Sequence, residues 1–320
     1  MAKLNIVQAI NSALKNEMKR NSDVVLLGED IGRDGGVFRV TEGLLEIFGP
    51  ERVIDTPLAE LGIIGSAIGM AAYGLKPVAE IQFMAFSYAG LEQIFSHAGR
   101  IRSRSRGRFT CPIVVRMPYG IGIKAPELHS ESAEALFCHM PGIKVVVPSS
   151  PYNAKGLLTS ALRDPDPVIF LEPSRLYRSI KTDVPDEDYA IPLGKAAIYQ
   201  EGKDITVVAW GAMLHRAAEA SAGFDAEIID LMTLKPFDEE AILNSVRKTG
   251  RLVIAHEATR SGGLGAEIAA LVAEEAVMHL KAPVIRVAGP EAVTPMAKLE
   301  DAYMPQIDRI RKAFATVMEF

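Results

Sequence analysis

The chain has 320 residues, 48% of them hydrophobic and 23% charged, which is typical of globular proteins and enough for two domains of ordinary size. Its formal net charge of −5 gives no reason to expect nucleic acid or an anionic membrane as a partner. Its two cysteines, Cys111 and Cys138, exclude a disulfide framework and cannot hold a metal by themselves, which favours a reducing, cytoplasmic compartment.

The first predicted element is an amphipathic helix near the N-terminus. Its apolar face carries Val7, Ile10, Leu14 and Met18. This segment lacks both the long apolar run of a signal peptide and the Arg-rich, acid-poor character of a transit peptide. The uncharged stretch 61–75 is too short, and too rich in Gly and Ala, to span a bilayer. We therefore expect no membrane partner.

Short β-branched runs alternate with helical patterns along the whole chain, which predicts parallel sheets built from crossover units. The predicted strands are 24–28, 76–83, 111–117, 143–148 and 167–172, then 204–211, 226–232, 250–257 and 283–289. An acidic segment that contains Pro185 and Pro192 separates the two groups and shows no periodicity. We therefore expect an α/β protein of two doubly wound domains, residues 1–183 and 197–320, joined by a linker at 184–196.

The uncharged stretch after Glu60 contains several glycines at helical spacing. They are Gly62, Gly65, Gly69 and Gly74. Each glycine in a helix interior costs up to about 1 kcal/mol relative to alanine. The loss is explained if another backbone comes very close, and two explanations stay open: packing at a subunit interface, or packing inside the chain.

Two residues stand out as candidates for proton chemistry. Glu60 is a lone carboxylate at the start of the uncharged stretch. It is either an acid stabilised by the helix dipole, by about 0.3–1 kcal/mol, or a carboxylate whose pKa is tuned by desolvation. His129 lies in a loop, where a histidine is usually solvated or structural, yet its ordinary pKa makes it the best proton donor in the chain.

Six motifs occur in a fixed order along the chain. They are G-E-D-I-G (28–32), D-T-P-L-A-E-L-G-I-I-G (55–65), E-I-Q-F (80–83), H-S-E-S (129–132), P-G-I-K-V-V-V-P (141–148) and D-P-D-P-V-I-F-L-E (164–172). As an ordered set they resemble the β subunit of the thiamin diphosphate-dependent 2-oxo acid dehydrogenases, the decarboxylating first component of the pyruvate and branched-chain complexes. The resemblance covers nearly the whole chain. It implies a pyrimidine-binding domain followed by a transketolase-type C-terminal domain.

The resemblance also implies roles for residues around Glu60. Glu60 is expected to be catalytic, because the matching Glu of the family hydrogen-bonds the aminopyrimidine ring of thiamin diphosphate and promotes its imino tautomer. Phe86 is expected to pack against that ring, and Leu58 and Gln82 are expected to line the cofactor pocket. Many relatives have Asp where Ala85 stands, so we expect the edge of this pocket to differ.

Two further assignments follow from the resemblance alone. His129 is expected to be catalytic in transferring the acyl group to the lipoyl arm of the next component. The family loop reads H-S-Q-S, and Glu131 replaces its Gln here, which changes the acidity of the loop. Asp164, with carbonyl groups near it, matches a place where relatives hold a monovalent cation such as K⁺.

A missing motif indicates the expected partner. Family members bind Mg²⁺ and the diphosphate through a Gly-Asp-Gly segment followed by an Asn, and no Gly-Asp-Gly occurs in this sequence. The chain therefore resembles half of an active site. We expect thiamin diphosphate to be shared with an α subunit that holds Mg²⁺, in a two-α, two-β heterotetramer whose β C-terminal domain faces the lipoyl-bearing acyltransferase core.

Two other patterns carry weaker alternatives. Arginines alternate through 100–108, which is typical of a solvated helix end and turn and, less often, of an anion or subunit contact. The glycine-containing segment 261–267 opens a helix and resembles a phosphate cradle, although a tight turn also explains it.

We therefore expect a β subunit that acts in oxidative decarboxylation of a 2-oxo acid, pyruvate or branched-chain, and in acylation of a lipoyl group. An acetoin dehydrogenase β subunit or a split transketolase half is the alternative enzyme. The H-S-x-S loop and the D-P-D-P-V segment favour the dehydrogenase over transketolase. A non-catalytic assembly subunit is the alternative of another class.

Overall fold

The computed structural model describes residues 1–320, which form fourteen strands and eleven α-helices. The strands are β1 (Ala2–Leu4), β2 (Val24–Gly28), β3 (Val53–Asp55), β4 (Lys76–Glu80), β5 (Val114–Tyr119), β6 (Lys144–Val146), β7 (Val168–Pro173), β8 (Thr182–Val184), β9 (Ala197–Gln200), β10 (Ile205–Ala209), β11 (Ala226–Asp230), β12 (Thr233–Lys235), β13 (Leu252–Thr259) and β14 (Ile285–Gly289). The α-helices are α1 (Ile6–Arg20), α2 (Leu44–Phe48), α3 (Glu60–Ala72), α4 (Ile101–Arg104), α5 (Glu134–His139), α6 (Pro151–Arg163), α7 (Ala212–Ala220), α8 (Glu239–Thr249), α9 (Leu264–Glu275), α10 (Glu300–Tyr303) and α11 (Ile307–Met318).

The larger sheet has seven strands in the order β12–β6–β7–β5–β4–β2–β3, and all except β12 run parallel. From β2 the chain passes outward to β3, whereas from β4, on the other side of β2, it passes to β5. The connections from the neighbouring strands β2 and β4 therefore leave in opposite directions. In open α/β sheets ligands bind at such a switch point, outside the carboxyl ends of the strands.

The smaller sheet has five strands in the order β14–β13–β10–β11–β9, and only β9 is antiparallel to its neighbour. The predicted α/β architecture of two doubly wound units is confirmed. One strand departs from the expected division of the chain: β12 follows β11 of the smaller sheet but pairs with β6 of the larger one. The sequence pattern gives no sign of this exchange between the two sheets.

Apolar layers cover both faces of the sheets. Along β7 the side chains alternate, so that Val168 and Phe170 belong to one buried layer and Ile169 and Leu171 to the other. Helices α1 and α6 contribute to the first layer and α3 to the second. The predicted apolar face of α1 is confirmed, because its four side chains are at most 5% exposed.

The predicted linker lies against the first unit. Residues 185–196 contain no helix or strand. The amide of Ile191 donates to the carbonyl of Gly156 in α6 at 3.0 Å, and a Cβ at Gly156 would lie 2.6 Å from Ile191 and 2.7 Å from Tyr189. The glycine therefore allows the linker to pack directly on α6. No helix in the chain has both the length and the apolar character needed to cross a membrane.

Candidate functional site

The residues expected at the active site follow the carboxyl ends of three strands, β5, β4 and β3, which lie within the neighbouring run β5–β4–β2–β3. Leu58 and Glu60 follow β3, and Gln82 and Phe86 follow β4, which ends two residues before Gln82. His129 lies in the connection that leaves β5. Because these strands are parallel, their ends meet at one edge of the sheet, and that edge contains the switch point between β2 and β4.

Glu60 is the first residue of α3 and the only acid in its first turn. It is half-buried, and it takes part in none of the ion pairs of the chain. The short helical segment Met84–Gly90 lies against this turn, since a Cβ at Gly90 would be 3.5 Å from the Glu60 carbonyl oxygen. That segment carries Phe86, so the fold brings the carboxylate and the aromatic ring to the same place.

Glu29 is a second carboxylate at this site, and the sequence analysis assigned it no role. It follows β2 directly and is only 7% exposed. Burial raises its pKa, and the charges of Glu60 and then Asp30 raise it further. The signal in the sequence was its position, one residue after a fully buried strand. The charge of Glu60 therefore acts directly on the buried carboxyl group of Glu29.

Gln82 contacts Asp30, the residue after Glu29. Its side-chain amide donates to the Asp30 carboxylate, with Nε2 3.2 Å from Oδ2. Asp30 has a positive φ of 57°, a conformation that aspartate tolerates better than most residues. The contact ties the turn after β2 to the segment after β4, and so closes one side of the site.

His129 lies between two aromatic rings. Its ring centroid is 4.4 Å from that of Phe83 and 5.0 Å from that of Phe86. Its Nδ1 is buried and has no hydrogen-bond partner. Glu131, two residues further on, accepts a hydrogen bond from the hydroxyl of Tyr88. The imidazole is therefore held by ring contacts and by its loop, and not by a hydrogen bond of its own.

The exposed surface along α3 is apolar. Leu61 in its first turn is 51% exposed, Leu58 just before the helix is 79% exposed, and Tyr73 at its C-terminal end is 91% exposed. A Cβ at Gly69 would meet nothing within 4 Å, and one at Gly62 would meet only the Cβ of Ala59. Packing inside the chain therefore does not explain Gly62 and Gly69, whereas a Cβ at Gly65 would lie 3.5 Å from Gln93 and Gly74 has a positive φ of 107°.

The site suits one half of thiamin diphosphate. A half-buried carboxylate and an aromatic ring at the same place suit a flat ring that can form hydrogen bonds. The carboxylates of Glu29, Asp30 and Glu60 would repel a diphosphate. No group of three or more His, Cys, Asp or Glu side chains in the chain could hold a metal ion. The residues therefore fit the aminopyrimidine and do not fit the diphosphate with its metal.

Asp164 lies away from this site. It follows α6 and precedes β7, at the amino end of that strand. Both of its carboxylate oxygens accept hydrogen bonds from Lys144 Nζ, at 2.6 and 2.7 Å. Its charge is thus already paired, and a monovalent cation here would depend on carbonyl oxygens.

The two weaker patterns also lie outside the site. Arg102 of the arginine run pairs with Asp166, with Nε 2.6 Å from Oδ1. In the glycine-containing segment, Gly262 has a positive φ of 64° just before α9, as a tight turn requires.

Two domain families match the sequence. Residues 2–179 match "Transketolase, pyrimidine binding domain", and residues 194–310 match "Transketolase, C-terminal domain". The two units described above are therefore transketolase-type domains. A solved structure described as a split-gene transketolase, an inactive β4 tetramer, superposes with a TM-score of 0.80 at 24% identity and covers 99% of each chain. At that identity the likeness concerns the fold alone.

Curated relatives match over essentially their full lengths. The pyruvate dehydrogenase E1 component subunit beta of Acholeplasma laidlawii is 50% identical over 315 residues, which cover 97% of this chain and 96% of that protein. The protein of the same name from Bacillus subtilis is 46% identical over 325 residues and 100% of both chains.

Proposed function

This chain belongs to the family of pyruvate dehydrogenase E1 component β subunits, and on that premise we propose that it supplies the catalytic carboxylate Glu60 and the pyrimidine pocket for oxidative decarboxylation of pyruvate. The observation that carries the proposal is the position of Glu60. It begins a helix at the switch-point edge of the sheet, its charge raises the pKa of the buried Glu29, and it has no ion-pair partner in the chain.

Thiamin diphosphate, when bound, supplies the electron sink for the loss of carbon dioxide. The residues of this chain would hold and protonate its aminopyrimidine ring. Glu60 would share a proton with a ring nitrogen, and Phe86 would pack against the ring face. Glu29 would lie beside Glu60, with its pKa raised by burial and by the charge of Glu60. Together these residues would hold the ring and exchange a proton with it.

His129 would act in the transfer of the acyl group to a lipoyl arm. Its imidazole lies at the same edge of the sheet, against Phe86, and no hydrogen bond within the chain holds its Nδ1. An ordinary histidine pKa lies near neutrality, which suits a group that passes a proton to a thiolate. Glu131 is engaged by Tyr88, so that carboxylate is directed toward the protein.

The partner we propose is an α subunit, in a two-α, two-β heterotetramer. The diphosphate and Mg²⁺ need ligands that this site does not offer, and the apolar face of α3 beside Glu60 is uncovered. A helix face with open glycines allows another backbone to approach closely. One partner that covers α3 and provides the metal ligands would meet both needs. The second domain would face the acyltransferase core.

The test is Glu60→Gln in the complex assembled with its α subunit, with Glu51→Gln as the control. Glu51 is an exposed acid before β3, so its loss should change nothing. We expect Glu60→Gln to assemble normally and to lower pyruvate decarboxylation, followed with an artificial electron acceptor, by about 10²–10⁴-fold. Full activity in this variant would leave only an assembly role for the chain.

A second variant separates the two half-reactions. We expect His129→Gln to keep most of the decarboxylation measured with an artificial acceptor but to acylate a free lipoyl domain about 10²-fold more slowly. Equal loss in both assays would contradict a role in acyl transfer. Acetoin or a branched-chain 2-oxo acid, supplied in place of pyruvate, would show whether the complex prefers another substrate.

A further inference from the structure

The segment that carries His129 has little structure of its own. We call residues 120–133, between β5 and α5, the His129 loop. It contains one short helical turn, Glu127–His129, and its two ends are joined by a hydrogen bond from the Gly120 amide to the Glu131 carbonyl at 2.9 Å. Since His129 Nδ1 has no partner, the position of the imidazole depends on what holds the loop.

Glu257, near the end of β13 in the second domain, contacts both ends of the loop. Its Oε1 accepts a hydrogen bond from the Ile121 amide at 2.6 Å and another from the Ser132 hydroxyl at 3.0 Å. The side chain is buried. A buried carboxylate is costly unless hydrogen bonds compensate it, so one that accepts from residues 121 and 132 ties the loop firmly to the second domain.

The backbone of the loop is shaped to admit this carboxylate. Gly120 has a positive φ of 79°, and a Cβ there would lie 2.7 Å from Glu257 Oε1. Any other residue at position 120 would both strain the backbone and displace the carboxylate. A second carboxylate of the same domain, Glu300, accepts a hydrogen bond from the Lys124 amide at 2.6 Å, in the middle of the loop. Both attachments come from outside the domain that carries His129.

We propose that Glu257 is a positioning residue, which holds the His129 loop against Phe83 and Phe86 by accepting hydrogen bonds at both of its ends. The effect of this positioning on catalysis rests on the proposed role of His129, whereas the effect on the loop itself does not. Glutamine at position 257 keeps an oxygen that can accept both bonds. Alanine removes it and leaves the Ile121 amide without a partner.

The experiment uses the complex assembled with the α subunit and compares Glu257→Ala with Glu257→Gln. Glu274→Ala is the control, since Glu274 is an exposed acid of α9 in the same domain. Hydrogen–deuterium exchange of residues 120–133 reports the loop, and the two half-reactions report catalysis. We expect Glu257→Ala to speed exchange at the Ile121 amide about 10-fold or more and to slow lipoyl acylation more than decarboxylation. We expect Glu257→Gln to keep the exchange rate of the loop and the rate of lipoyl acylation close to those of the unaltered complex.

The outcomes are distinguishable from those that concern the proposed function. Unchanged exchange in Glu257→Ala would overturn the positioning role. Faster exchange with unchanged acylation would support the positioning role and overturn the catalytic role of His129. If Glu257→Ala does not assemble, Ser132→Ala provides the test, because it removes one of the two hydrogen bonds that Glu257 accepts. We expect it to increase the exchange rate of the loop by a smaller factor. An unchanged exchange rate would overturn the proposal.

Discussion

Replacing Arg116 with Met should destabilise the first domain strongly while leaving its shape unchanged. Arg116 lies on β5 and is only 2% exposed. Its Nη1 lies 2.7 Å from Glu80 Oε2, and its Nε lies 2.8 Å from Glu172 Oε1. Tyr177 also donates to Glu172, at 2.6 Å. One buried cation thus forms ion pairs with two buried carboxylates, close to the carboxyl ends of the strands that form the site.

The magnitude follows from what the substitution leaves behind. Methionine fills a similar apolar volume, so little is lost in packing. Glu80 and Glu172 are left without their cation, and breaking a buried ion pair by removing one partner costs about 3–5 kcal/mol. For a domain of this size each kcal/mol lowers the melting temperature by about 2–4 °C, so we expect a fall of roughly 6–20 °C.

Urea unfolding, followed by circular dichroism, measures the effect, and a compensated variant serves as the control. Replacing Glu80 and Glu172 with Gln together with Arg116→Met removes the two orphaned charges and should recover most of the loss. Replacing a complete buried ion-pair group with neutral residues is often close to neutral. A loss below about 1 kcal/mol in Arg116→Met, or no recovery in the triple variant, would refute the reasoning.

Two further changes test the packing of the chain. His256 is fully buried and stacks on Trp210 with ring centroids 5.4 Å apart, and burial lowers its pKa to about 4. Because the pKa of His256 is lower in the folded than in the unfolded protein, the free energy of unfolding falls as the pH drops from about 6.5 toward 4. Between pH 8 and pH 5, measured by urea unfolding, the His256→Phe variant should therefore lose about 1–3 kcal/mol less of this free energy than the unaltered protein. An equal loss in the two proteins would contradict the prediction. Gly142→Ala places a Cβ 1.8 Å from the Gly99 carbonyl oxygen, whereas Gly223→Ala, also at positive φ, meets nothing within 4 Å. By the same assay, Gly223→Ala should lower the free energy of unfolding by about 1–2 kcal/mol, and Gly142→Ala should lower it by at least about 1 kcal/mol more. Equal losses would show that the overlap of the new Cβ with the Gly99 carbonyl oxygen costs nothing.

The elements that the sequence predicts are those whose signal is local. Helix α1 is an example, because its apolar side chains recur at helical spacing, and the strand 24–28 is another, because it is a continuous apolar run. Strand β12 is an example of the opposite kind. It has three residues, too few to show a period, and its partner β6 is set by contact between the domains.

The candidate site divides in the same way. Glu60, Phe86 and His129 could be named one by one from motifs, but the strand order that brings them to one edge is a property of the folded chain. Glu29 had a readable signal, since it directly follows a fully buried strand. Glu257 had none, because the hydrogen bond to Ile121 joins residues 136 positions apart and exists only when the two domains dock.

The central claim is that this chain holds half of a thiamin diphosphate site. It is tested most directly by recovering the tagged chain from its own cells, measuring its native mass and identifying the small molecules bound to it. We expect an assembly of two copies with two copies of a second protein, carrying thiamin diphosphate and Mg²⁺. A homo-oligomer of this chain that carries thiamin diphosphate by itself would contradict the claim, because the diphosphate would then be held by residues of this chain.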